Sequence, residues 1–191
     1  MNKNRIVILG FGSLLWNSNG LNISNWQKDG PILPLEFSRI SKRGNLTLVI
    51  DPKNGSFNQV YWTLNKSNNL QDVMRELQKR EKIKNKYLNK SIGILDVKNH
   101  LYNEGANKYP IIILDGIFKW ARKKEIDFVI FSSLSVRFKD VINVPYTIEN
   151  AVIYFNDLPI NIQSLTKNYI EKTTWINTEF KRLFNILVIN K

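Results

Sequence analysis

Arg5-Ile6-Val7-Ile8-Leu9-Gly10-Phe11-Gly12-Ser13-Leu14-Leu15-Trp16 is the stretch on which the reading of this chain turns. Its first part, Arg5 to Leu9, is short, β-branched and closed by glycine, the pattern of a buried strand. Two glycines one residue apart permit a tight turn whose backbone N–H groups converge on one point, a concavity suited to anions. A dinucleotide fingerprint does not fit. The third glycine of G-x-G-x-x-G falls at Leu15, and Asn17, Asn19 and Gly20 interrupt any helix of the required length. Two readings of Gly10, Phe11, Gly12, Ser13, Leu14 and Leu15 stay open: an ordinary strand-ending turn, or a cradle for a ligand.

Outward from this stretch, apolar runs at Glu36 to Ile40, Leu46 to Ile50, Val60 to Leu64, Ile92 to Val97 and Phe128 to Leu134 read as further strands. Ser41-Lys42-Arg43-Gly44-Asn45 reads as a hairpin loop between two of them, with glycine at the position of special backbone geometry. Helical periodicity is clearest over Asn69 to Lys82, and a second helix is expected from Gly116 to Lys124. After Pro145, Thr147 to Leu158, Ile162 to Lys172 and Asn177 to Leu187 read as successive helices, broken at Pro159 and at Thr173-Thr174-Trp175. Strands and helices are mixed without regular alternation, which favours an α+β domain around a closed or nearly closed sheet. The expectation is one domain over 1–191, with 147–191 a helical extension packed on it.

Glu81 is the most informative charged residue. With Leu70 as reference and about 100° per residue, Met74 lies near +40°, Leu77 near −20° and Glu81 near +20°. The carboxylate therefore extends the apolar stripe. Burial there disfavours its ionised form, and a place in the last helical turn sets it against the carbonyl end of the dipole, so it suits proton transfer near neutral pH. The alternative is that the helix frays at Lys79 and Glu81 reaches water or pairs with a nearby Lys or Arg. His100, the single histidine, lies in a polar stretch and reads as a surface residue. Asp51, Asp115 and Asp127 read as caps or turn residues. Glu36 and Arg39, three apart in one strand, fall on opposite faces by simple alternation. One His and no Cys supply no metal-ligand cluster.

The net charge of +12 would ordinarily point to nucleic acid or an anionic surface. Asn and Ile, about two dozen each, suggest an AT-rich coding bias that also raises Lys. The basic residues are scattered, so a solvated surface is favoured over a nucleic-acid partner. Absent cysteine fits a reducing interior, and no run approaches the ~18 apolar residues of a membrane span. The short run Ile6 to Leu9 lacks a signal-like h-region, and the expectation is a soluble cytoplasmic protein without a membrane partner.

Phe11-Gly12-Ser13-Leu14 after the first strand, together with Arg80-Glu81 at a helix end, resembles the gamma-glutamylcyclotransferase-like superfamily, including its ChaC-type branch. The stretches Pro34 to Ser41, Leu46 to Asp51, Trp120 to Leu134 and the helical tail are similar to a bacterial subgroup of it. Phe11 stands where the family motif has Tyr, and Lys82 where ChaC-type proteins often have a small or apolar residue. The resemblance implies a mixed β-barrel with surrounding helices. It also implies Glu81 as catalytic acid/base, the turn 10–15 as substrate cradle, no cofactor, and a small gamma-glutamyl substrate cyclised to 5-oxoproline. A non-catalytic binding member of the same fold is the alternative, and a basic nucleic-acid-binding module a more remote one.

Overall fold

The computed structural model describes residues 4–189. In chain order it contains β1 (Ile6–Gly10), β2 (Ile32–Ile40), β3 (Leu46–Ile50), β4 (Ser56–Gln59) and β5 (Tyr61–Leu64). Helices α1 (Leu70–Glu81) and α2 (Leu88–Ser91) follow, then β6 (Ile92–Asp96), β7 (Leu101–Tyr102), α3 (Glu104–Asn107) and α4 (Ile111–Lys123). The chain continues through β8 (Phe128–Ser132), α5 (Phe138–Ile142), α6 (Ile148–Asp157), α7 (Ile160–Lys172) and α8 (Glu179–Ile189). The fold is α+β, with eight helices and two sheets among the described residues.

The expected closed sheet is not formed. The strands divide into a five-stranded sheet ordered β5-β1-β8-β6-β7 and a three-stranded sheet ordered β3-β2-β4, with no closed barrel among the described residues. Barrel closure requires the two edges of one sheet to pair. Here one edge of the larger sheet is the two-residue β7, and β2 to β4 pair among themselves. The chain groups accordingly into two compact units, the residues up to Ile32 with Gln59–Leu134, and Leu33–Asn58 with the chain from Ser135 on. The helices expected as an extension from 147 belong with β2 and β3 in the second of these.

In the first unit β1 is an interior strand, antiparallel to β5 and parallel to β8. Ile6, Ile8, Ile92 and Ile130 form one apolar cluster with Leu14 and with Val73, Met74 and Leu77 of α1. By strand alternation Val7 and Leu9, also fully buried, face the other way. A strand buried on both faces explains the uninterrupted apolar run in its sequence. Helix α1 starts where expected, because the Asn69 side chain accepts from the N–H groups of Gln71 and Asp72. It ends at Lys82, whose left-handed backbone (φ 53) lets its N–H reach the carbonyls of Gln78 and Lys79. Helix α4 starts five residues earlier than the sequence suggested. Pro110 precedes its first residue, and the β-branched run Ile111 to Ile113 masked the helical signal.

In the second unit the hairpin forms as read: Ser41 N–H donates to Asn45 O (2.9 Å), Gly44 N–H to Ser41 O (3.1 Å), and Gly44 takes φ 90. Tyr154 of α6 donates its hydroxyl to Gly44 O (2.7 Å). The buried Phe37 ring lies 6.1 Å from Tyr169 of α7 and 6.0 Å from Phe180 of α8. The sheet of this unit is thus faced by the C-terminal helices.

Candidate active site

The glycine turn and the end of α1 meet inside the first unit. Gly12–Leu14 form a single 3-10 turn after β1, closed by Leu15 N–H to Gly12 O (3.2 Å) and followed by Asn17 N–H to Ser13 O (3.0 Å). Both glycines are required by geometry. Gly12 sits at φ 62, where a side chain would be strained, and a Cβ on Gly10 would fall 2.4 Å from the Trp26 ring. Leu14 sends its side chain into the core cluster, and Phe11 is buried, so both anchor the turn. Of the cradle's expected donors, Leu15 N–H is engaged inside the turn itself. A 3-10 turn does not use its opening N–H, which here belongs to Gly12.

Glu81 lies on the inward stripe with 12% of its side chain exposed; the helix does not fray at Lys79, and Glu81 is also paired with a neighbouring Arg, as the alternative reading had it. It is not alone there. The Arg80 guanidinium, 10% exposed, donates from Nη1 to Glu81 Oε1 (2.8 Å), from Nη2 to Ser13 Oγ (3.0 Å) and from Nε to Asn17 O (3.0 Å). One planar cation therefore ties the helix end, the turn and the chain beyond it into a single constellation. Arginine suits this task because its donors form a rigid fork, whereas a lysine ammonium offers one point charge. A second tether lies one turn earlier on α1, where Glu76 Oε2 accepts from Asn65 Nδ2 (2.7 Å) and Asn22 N–H (3.0 Å).

Sequence reasoning singled out Glu81 and the turn but gave Arg80 no role of its own; its place in the Arg80-Glu81 pair was the available signal. The other residues weighed fall elsewhere. His100 is exposed, 2.7 Å from Arg122, with its ring tilted against that of Phe118 at 4.2 Å. Asp51 caps a turn through Lys53 and Asn54 N–H groups, as read, whereas Asp127 accepts from the N–H of Arg5, far away in the sequence, which is neither a cap nor a turn role. Asp115 differs: it lies within α4, 3.8 Å from His100, and caps nothing.

Glu36 and Arg39 also depart from the alternation argument. Glu36 pairs with Val49 and Arg39 with Thr47, so three residues of β2 span two of β3. This bulge brings Glu36 and Arg39 to the same face of the sheet. Glu36 is fully buried. Burial pushes its carboxyl up to about 6, against bonds from Phe37 N–H, the Thr178 hydroxyl and Phe180 N–H. Among the described residues no group of three or more His, Cys, Asp or Glu could hold a metal ion, and no helix is long and apolar enough to cross a membrane. No protein-family model, curated protein or solved structure matches this chain.

Proposed function

We propose that the chain is a gamma-glutamyl cyclotransferase with Glu81 as its acid/base and the turn at Gly12–Leu14 as its substrate cradle. The observation that carries this reading is the inward Glu81 carboxylate joined to the turn through Arg80. The finer fold assignment rests on the Phe11-Gly12-Ser13-Leu14 and Arg80-Glu81 motifs, since the sheets are not closed.

The chemistry asks little else of the protein. In a gamma-glutamyl compound the α-amine attacks the γ-carbonyl carbon of the same molecule, so the nucleophile is already tethered at high effective molarity. A new C–N bond closes the five-membered ring, and the bond to the leaving amine breaks. Glu81 removes the proton from the attacking nitrogen and returns it to the departing one, ending in its starting state. The turn's backbone N–H groups hold the α-carboxylate or the developing oxyanion. The products are 5-oxoproline and an amine or amino acid, with no cofactor consumed. Nucleic acid has no part in this scheme, and a cytoplasmic location accords with the lack of cysteine.

The test is 5-oxoproline release from a panel of glutathione, gamma-glutamyl amino acids and gamma-glutamyl amines, for the wild type and Glu81→Gln. Activity in the wild type and its loss in the variant are expected. Equal activity in both removes Glu81 from the chemistry. Thermal stabilisation by a panel member without 5-oxoproline identifies a binding protein instead.

A further inference from the structure

The excess positive charge of the chain is unevenly placed. Residues 75–90, in the first unit, hold seven Lys or Arg against two Glu, five of the twelve net charges in 16 of the 191 residues. Lys79, Lys82, Lys84 and Lys86 are exposed, and none of them forms an ion pair with a described residue. Lys79 has a local explanation, since a cation in the last turn of α1 offsets the carbonyl end of its dipole. Lys84 and Lys86 lie beyond the helix, where that reason lapses. The segment is nevertheless bound to α1. Gln78 Nε2 donates to Ile83 O (3.2 Å) and to Asn85 Oδ1 (2.6 Å), Ile83 N–H donates to Gln78 O (3.0 Å), and Ile83 packs against the core cluster. The backbone that carries these ammonium groups is thus held within five residues of Glu81.

With Glu81 as the acid/base, the leaving amine has to come within hydrogen-bond reach of its carboxylate to recover a proton. Whatever that amine carries is then a few bonds from the lysine segment. We propose that the leaving group is an acidic amino acid or short acidic peptide with two or more carboxylates, which Lys82, Lys84 and Lys86 attract; this rests on the cyclotransferase reading. In glutamate, for instance, one carboxylate carbon is two bonds from the leaving nitrogen and the other four. A patch of one sign raises the local concentration of ligands of the opposite sign and speeds their capture. A neutral amine offers the lysines nothing. The bonds made and broken are those of the cyclisation, and only the amine that departs is specified.

The test uses the gamma-glutamyl derivatives of glutamate, glutamine and glutaminamide, whose leaving groups are nearly isosteric and carry two, one and no carboxylates. For the full chain at low salt, kcat/KM for 5-oxoproline release is expected to rise about 3-fold with each carboxylate. At about 1 M salt, where charges are screened beyond about 3 Å, the series should flatten. Lys84→Gln combined with Lys86→Gln should bring the ratio of the glutamate to the glutaminamide derivative towards one, a comparison that cancels any general loss of activity. Equal kcat/KM for all three derivatives overturns the proposal and leaves the cyclotransferase reading standing. A preference that survives high salt or the double variant overturns it as well, because the selection then lies outside these lysines. Should the double variant fail to fold by circular dichroism, the salt response of the wild type decides alone. No 5-oxoproline from any of the three overturns the cyclotransferase reading, and this inference with it.

Discussion

Glu81 in the first unit and Glu36 in the second are both carboxylates turned away from water, and the protein treats them differently. Glu81 has a guanidinium 2.8 Å from its oxygen and keeps a little solvent access. Among the described residues Glu36 has only neutral donors on its oxygens, with no solvent access and Asp51 nearby. Burying a charge is costly unless it is paired, and an unpaired carboxyl lowers that cost by holding its proton to a higher pH than usual. The contrast separates two uses of one side chain. A paired, slightly open carboxylate suits exchange with a substrate, whereas a sealed, unpaired one responds to pH through the fold.

The largest expected effect is on the Glu81 side. Glu81→Gln should lower 5-oxoproline release by about 10²–10⁴-fold while far-UV circular dichroism stays unchanged. A full-rate variant would make the pair with Arg80 a structural one and erase the contrast. Next comes the countercharge itself. Arg80→Gln should cost about 3 kcal/mol in urea unfolding at pH 7, the low end for a broken buried pair, because both side chains keep some contact with water. A loss below about 0.5 kcal/mol, typical of surface substitutions, would show that the pair is effectively exposed.

Glu36 should behave in the opposite sense. Its folded value is raised, so the stability it contributes is full below about 4.5 and lost as pH rises through about 6, a span of about 2 kcal/mol. Urea midpoints for Glu36→Gln across pH 4 to 8 should lack this fall, whatever constant offset the new amide introduces. A wild-type curve that climbs over the same range would mean that Glu36 is ionised in the fold. The smallest effect is at Lys82, whose φ of 53 strains a side chain. Lys82→Gly should raise stability by up to about 1 kcal/mol, seen as a higher melting temperature. A concurrent loss of 5-oxoproline release would show that the strained cap aims Glu81.

Much of this architecture is legible locally. The β1 run, the hairpin at Ser41 to Asn45, the Asn69 cap and the breaks at Pro159 and Thr173 each declare themselves within a few residues. The inward aim of Glu81 also follows from the period of one helix. Short elements such as β4, β7, α2, α3 and α5 carry too few residues for a period to register. Glu36 escaped for a different reason: strict alternation placed it opposite Arg39, and a single extra residue in β2 reverses that relation.

The sequence by itself determined the buried first strand, the apolar stripe and ends of α1, the breaks between the C-terminal helices, and that a lone carboxylate and a glycine turn are the groups to watch. Those outcomes depend on periodicity and capping, which act over one or two turns of chain. Only the tertiary structure decided that the sheet divides in two, that a bulge turns Glu36 and Arg39 to one face, and that Arg80 reaches Asn17 and Ser13, 63 and 67 residues away. Strand pairing and guanidinium contacts are choices among many distant candidates. Such a choice is settled by the packing of the whole unit, so no local pattern in the chain encodes it.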